Sequence, residues 1–210
     1  MNLNFHDFNT LQKELEELPP FHRIAFAASC CERLLPNYSA FAREEGWGDF
    51  TILRTALDEV WQILQGKPLN VTEISQLIKN CIDAVPDADD VSQSSYCPEA
   101  QHAASAIGIT LELCLEPTPQ DAIAVARAVK ETLFEFLDRI EESKDPKGWQ
   151  EKPYAELTKE IDNHPFSVRE MAKQREDLQR LKEVETLDRE FLEWLRTSSH
   201  NNGKSLIDLS

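Results

Sequence analysis

Glycine is scarce in this chain, six in 210 residues, and apart from Gly46-Trp47-Gly48 no two stand close together. A loop that wraps phosphate in successive backbone N–H groups has no sequence to form from, and the triplet reads as a turn. The cysteines number five, an odd count spread without a framework of spacings. No Cys-x-x-Cys pair is present, which argues against a cysteine zinc site, and adjacent Cys30 and Cys31 cannot bridge each other without strain. No apolar run approaches the ~18 residues of a membrane span. The first ten residues, MNLNFHDFNT, have neither the basic region nor the apolar centre of a signal peptide. These absences describe a soluble, cytoplasmic protein. Strand-like alternation and internal repeats are also missing, while apolar residues recur at helical spacing throughout.

Charge is heavily one-sided. Asp and Glu number 38 against 22 Lys and Arg, a formal net charge of −16. Nucleic acid is excluded as a partner, because phosphate contacts need clustered Lys and Arg and this field repels a polyanion. Between Lys79 and Arg127 there is no Lys or Arg, whereas Asp83, Asp87, Asp89, Asp90, Glu99, Glu112, Glu116 and Asp121 all fall there. Such a stretch attracts only a basic or metal-bearing partner, or serves simply as a solvated acidic surface.

The apolar spacing predicts an all-α, single-domain irregular bundle of about eight or nine helices over residues 1–210. Leu11, Leu15 and Leu18 stripe the first helix. Pro20 opens a second through Ile24, Ala28 and Leu35, which Pro36 is expected to stop, and Asn37 is placed to cap a short third through Phe41. Asp49 caps a helix carrying Ile52, Ala56, Val60 and Ile63, and Thr72 opens another through Ile74, Ile78 and Cys81. After an acidic loop over 86–95, a helix rich in small residues, Ala100–Leu115, is expected at the centre of the bundle. Thr118 caps a long helix to Ile140. The polar stretch 144–152 is the best linker, where a hinge is allowed. A final helix from Phe166 to Leu195, spanning about 45 Å if unbroken, precedes a polar tail, 197–210, expected to fray unless Leu206, Ile207 and Leu209 dock. Leu187, Phe191, Trp194 and Leu195 drift around that last helix beyond the ~100° arc one surface covers. A homodimer through this end is therefore expected, with the folded-back tail as the competing cover.

Candidate chemistry concentrates between Cys30 and Asp49. Glu32 and Arg33 follow Cys31 on a helix that is otherwise largely apolar, so a charge buried there needs a partner. Asp49 is the expected partner of Arg33, with Tyr38 and Trp47 lining the same corner. Two readings stay open: a clasp that holds helices together, or a small-anion or carboxylate pocket built on the Arg33 fork. The ligand-site candidates are thus Glu32, Arg33, Tyr38 and Asp49, with Asp87, Asp89, Asp90 and Glu99 of the acidic loop as a second group.

The run Cys31-Glu32-Arg33, Pro36-Asn37-Tyr38, Phe41 and Gly48-Asp49 resembles the signature of the YjaG-like proteins, a bacterial family. Pro86, Ala88-Asp89-Asp90 and Tyr96 resemble that family's acidic loop, and Asn163 through Pro165 a later element. Cys97-Pro98-Glu99 departs from the pattern. The resemblance implies an all-helical soluble protein of unassigned activity, and it supplies no catalytic residues.

Glu99 and His102 form Glu-x-x-His, half of a di-iron ligand set whose second copy and extra carboxylates are missing. No metal or cofactor is therefore expected. Cys97 at a helix start would have its pKa lowered by the dipole, but His102 five residues on lies around the helix from it. The leading functional reading is a non-enzymatic helical protein that binds a protein or a small molecule. The alternative is a metal- or thiol-dependent enzyme centred on loop 86–95 and the helix after it.

Overall fold

The computed structural model describes residues 8–87, 96–198 and 201–210, and every regular element among them is an α-helix. In chain order these are α1 (Phe8–Glu17), α2 (Pro20–Glu45), α3 (Phe50–Leu64), α4 (Val71–Asp83), α5 (Cys97–Leu115), α6 (Pro119–Lys144), α7 (Pro146–Glu151), α8 (Tyr154–Asn163), α9 (Pro165–Glu183) and α10 (Arg189–Ser198). The acidic-loop candidates Asp89 and Asp90 lie outside the described residues. Among those described, no helix is long and apolar enough to cross a membrane.

α5 sits at the centre, against α2, α3, α4 and α6. Its Ala100, Ala103, Ala104 and Ala106 are fully buried, and side chains this small let neighbouring backbones come close. Local chemistry sets the starts. Asp49 accepts from the Thr51 amide at α3, Asn70 from Glu73 at α4, and Thr118 from Asp121 at α6, each supplying an acceptor that the first helical turn lacks.

Two expected boundaries are overturned. α2 runs 26 residues straight through Pro36, so the helices expected on either side of it are one. A mid-helix proline costs about 3 kcal/mol, since it removes the N–H that would reach the Glu32 carbonyl. Burial on both sides of it outweighs that cost: Leu34, Leu35, Tyr38 and Phe41 are all at most 2% exposed, at about 1.5–3 kcal/mol each. Asn37, expected as a cap, is instead buried mid-helix, and neither amide atom is hydrogen-bonded among the described residues.

The expected long C-terminal helix is broken. α9 ends at Glu183, Val184 is extended (φ −109°, ψ 136°), and α10 begins at Arg189. The buried His22 donates from Nε2 to the Val184 carbonyl at 3.0 Å, holding the break against α2. Asp188 then accepts from the Phe191 amide at 2.7 Å and starts α10. This turn accounts for the drifting apolar face. Phe191, Leu192 and Leu195 are buried within the single chain, and the cations of Lys173 and Arg180 stand over the Trp194 ring at 4.7 and 5.0 Å.

The 144–152 stretch carries the short α7, whose Trp149 is buried and donates from its indole to Asp138 at 2.8 Å. The tail docks, with Leu206 and Ile207 each 2% exposed.

Candidate functional site

Arg33 does not reach Asp49. It points toward α9, where Nε and one terminal nitrogen donate to the two oxygens of Glu170 at 2.7 and 2.8 Å. The other terminal nitrogen donates to Asp177 at 3.1 Å and to the Ser29 carbonyl and hydroxyl at 3.1 and 2.8 Å. Ser29 itself donates to Asp177, Gln174 donates to Glu170, and Lys173 pairs with the second Asp177 oxygen at 2.8 Å. Arg33, Glu170 and Asp177 are 5%, 2% and 0% exposed, so two buried acids face two cations. Burial alone would lower the Arg33 pKa, but the Glu170 carboxylate, with Cys30 and Asp177, drives it upward overall. Every nitrogen of the fork ends on its own chain, which leaves the expected Arg33 anion pocket without its donor.

Glu32, one residue earlier, turns about 100° around the helix toward α3 and α10. Arg54 grips it with both terminal nitrogens at 2.7 and 2.8 Å, and the Trp61 indole donates to it at 2.7 Å. Arg196 of α10 approaches Glu32 at 3.2 Å and also pairs with Asp58, which Arg54 meets at 2.8 Å. Consecutive residues of α2 thus hold different flanks: Arg33 fixes α9, and Glu32 fixes α3 and α10.

Tyr38 and Asp49 serve local structure. The buried Tyr38 hydroxyl donates to the Ala84 carbonyl at 2.9 Å, tying α2 to the end of α4, and burial raises its pKa. Asp49 is exposed, accepts from both the amide and the hydroxyl of Thr51, and has its pKa lowered by those bonds. The expected Arg33–Asp49 pair fails because a cap must face the amides of its own helix. Trp47 is 37% exposed and meets Phe41 edge-on. Between them Gly48 holds φ +84°, and a Cβ there would sit 2.6 Å from the Tyr38 oxygen. Gly48→Ala should therefore destabilise the protein by about 1–3 kcal/mol, read as a lower urea midpoint; an unchanged midpoint would show that the corner yields.

Near the acidic loop, Glu99 is fully buried and accepts from Arg139 at 2.6 Å, while His102 donates instead to Glu135 at 3.2 Å. The two residues of the Glu-x-x-His motif are committed to different α6 partners. Burial raises the Glu99 pKa, with Arg139 opposing it. Asp87 is exposed at the edge of the described segment. Among the described residues no group of three or more His, Cys, Asp or Glu is arranged to hold a metal ion. Cys97 corrects another expectation: burial, with Glu99, Asp87 and Glu45, raises its pKa where the helix dipole was expected to lower it. Cys31, Cys81 and Cys114 are pushed by burial to about 12, and Cys30 is raised by burial too. None is an activated thiolate.

What remains open in this corner is a cleft of about 190 Å³ between α2, the start of α3 and the tail. Leu35, Pro36 and Phe50 give it an apolar floor, and Glu32, Ser39, Arg54 and Lys204 supply its polar edge. Arg54 is already paired, whereas Lys204 is exposed and outside the salt bridges of the described residues, with Asp208 near enough to feel its charge.

Residues 10–210 match a family described as "Protein of unknown function (DUF416)". The chain belongs to this family. It is 28% identical to the "Uncharacterized protein YjaG" of Escherichia coli K12 over 201 residues, 96% of each chain. An uncharacterized protein of Haemophilus influenzae is 24% identical over 202 residues, covering 96% of this chain and 97% of that one. The fold matches the crystal structure of a DUF416 family protein from Shewanella baltica OS155 with a TM-score of 0.83, at 23% identity, over 95% of this chain and 97% of that one.

In this DUF416 member, sequence reasoning missed the partners rather than the centre. Glu170, Gln174 and Asp177 fall at i, i+4 and i+7 on α9 and are all buried. That spacing is a helical stripe, but a polar one, and a search for apolar stripes passes over it. Arg54, Arg196 and Lys204 gave no local signal, because the elements that bring them together are distant in sequence.

Proposed function

We propose that this protein acts by binding, without catalysis, and takes a small ligand with a carboxylate or similar anionic group and a short apolar part. The observation that carries this reading is the cleft beside Pro36, where an exposed Lys204, outside any salt bridge among the described residues, shares the lining with Leu35, Pro36 and Phe50. Of the charged side chains lining it, Arg54 and Glu32 pair with each other, which leaves Lys204 as the cation at this edge, in a chain whose net charge is −16. An anion is thus drawn to this spot rather than to the acidic surface around it. At about 190 Å³ the cleft falls below the ~300–1,000 Å³ of drug-sized sites, which points to a compact ligand. Pro36 also leaves the Glu32 carbonyl without its helical donor, an acceptor for a ligand hydroxyl or amide.

Thermal unfolding with octanoate, benzoate and phenyl phosphate, beside their uncharged alcohols, tests this. One or more of the anions should raise the melting temperature by a few degrees; saturation at ~100 times Kd adds about 2.7 kcal/mol. The alcohols should not, and Lys204→Glu should remove the shift. No shift with any of the anions at millimolar concentration, or an equal shift in Lys204→Glu, would overturn the reading.

A further inference from the structure

A second surface stands apart from the cleft. α4 and α5 bound a groove of about 190 Å³ walled by Ile78 and Ile82 of α4, Val85 just past its end, and Ser105, Ile109 and Glu112 of α5. Its floor is made of small side chains, among them Ala104 and Gly108, so an incoming backbone can come close. Ile82 is 63% exposed, an aliphatic side chain left in water where the groove opens.

We propose that this groove docks a basic amphipathic helix of a partner protein. Ile78 and Ile82 at i and i+4 on α4, facing Ser105, Ile109 and Glu112 at i, i+4 and i+7 on α5, fit the apolar stripe of a third helix. An extended peptide fits poorly, because both walls are helices with their own backbone groups paired and no sheet edge is offered. Charge selects the occupant. α5 contains no Lys or Arg at all. Glu112 on the groove wall, Glu116 just beyond α5, and Asp83 at the end of α4 are all exposed, and α4 itself contains a single cation, Lys79. A second copy of this chain would bring Glu112 and Asp83 against their own counterparts, between bodies of like charge. A partner helix with Leu or Ile at i, i+4 and i+7 flanked by Lys or Arg meets both the ridges and the field.

The probe is a labelled amphipathic peptide of Leu and Lys in that pattern, read by fluorescence anisotropy against the full chain, beside the same peptide with Glu in place of Lys. Binding of the Lys peptide should weaken about tenfold or more in Ile82→Lys and in Ser105→Arg, exposed positions on opposite walls whose replacement leaves the core intact. Val168→Lys, an equally exposed position on α9 (53%), should leave it unchanged, which separates docking from general attraction to an acidic protein. Equal weakening in Val168→Lys, no weakening in the groove variants, or equal affinity for the Glu peptide would overturn the proposal. So would light scattering that gives twice the chain mass for the wild type and the single-chain mass for Ile82→Lys, since the face would then belong to a second copy.

Discussion

Arg33→Met should lower the unfolding free energy by about 3–5 kcal/mol, a large fraction of the ~5–15 kcal/mol typical of a folded domain. Methionine keeps much of the arginine stem and its packing, so the loss is electrostatic. Of the salt bridges to Glu170 and Asp177 among the described residues, only Lys173 on Asp177 would remain, and Glu170, 2% exposed, would lose both of its charged hydrogen bonds. A carboxylate removed from water without a partner is what makes such a deletion costly. The double variant Arg33→Met/Glu170→Met removes charge from both sides and should be less destabilised than the sum of the two single variants. Arg33→Lys should fall between, because one ammonium cannot reproduce the fork that spans both Glu170 oxygens. Urea midpoints of the wild type and the four variants decide this; a loss under ~1 kcal/mol in Arg33→Met, or strict additivity in the double variant, would mean that the cluster adds little to stability.

The corner between Cys30 and Asp49 was legible as a place, but not as a set of contacts. Arg33 stood out because a charge on an apolar helix must be answered, and that much follows from local sequence. Which acid answers it does not: Glu170 lies 137 residues away, and only the packing of α9 on α2 brings it within 2.7 Å. Asp49 was the plausible partner by proximity along the chain, yet its amide-facing role as the α3 cap had prior claim on its oxygens. Helix types and the central place of α5 follow from periodicity and from its alanines. The boundaries failed where tertiary burial overrode a local rule. Pro36 should end a helix in isolation, and it does not once the residues around it are in the core. The reverse error occurred at Val184–Asp188, where continuous helical spacing hid a break that Asp188 announces as a cap.

Leu206→Asp should detach the tail and cost about 2–5 kcal/mol or more, the range for losing a buried leucine side chain before the charge is counted. The tail from Thr197 is expected to fray unless Leu206, Ile207 and Leu209 dock; Leu206 and Ile207 are buried, and residues 201–210 hold a fixed turn. Asn202 and Gly203 take φ of 51° and 80°, the left-handed pair of a tight hairpin turn, and the Lys204 amide closes it onto the Asn201 carbonyl at 2.9 Å. Asn-Gly is a strong local sign of such a turn, and no strands flank it here to draw attention to it. Beyond the turn, the Ser205 hydroxyl accepts from the Ile207 and Leu209 amides, which fixes Leu206 and Ile207 inward. The Leu206 amide then donates to the Arg33 carbonyl at 3.1 Å, and Arg169 donates to the Leu206 carbonyl at 2.8 Å. The docking point lies one residue from the carbonyl that Pro36 strips of its donor, so the anomaly in α2 and the anchoring of the tail belong to the same stretch of backbone. An aspartate at 206 would place a carboxylate in a site that is 2% exposed, and the tail would leave rather than bury it. Hydrogen exchange should then show amide protection of residues 205–209 lost while that of α5 survives, and Leu209→Asp, at a half-buried position, should have the smaller effect. Retained protection at 205–209 in Leu206→Asp would show that the turn, rather than the buried leucine, holds this segment in place.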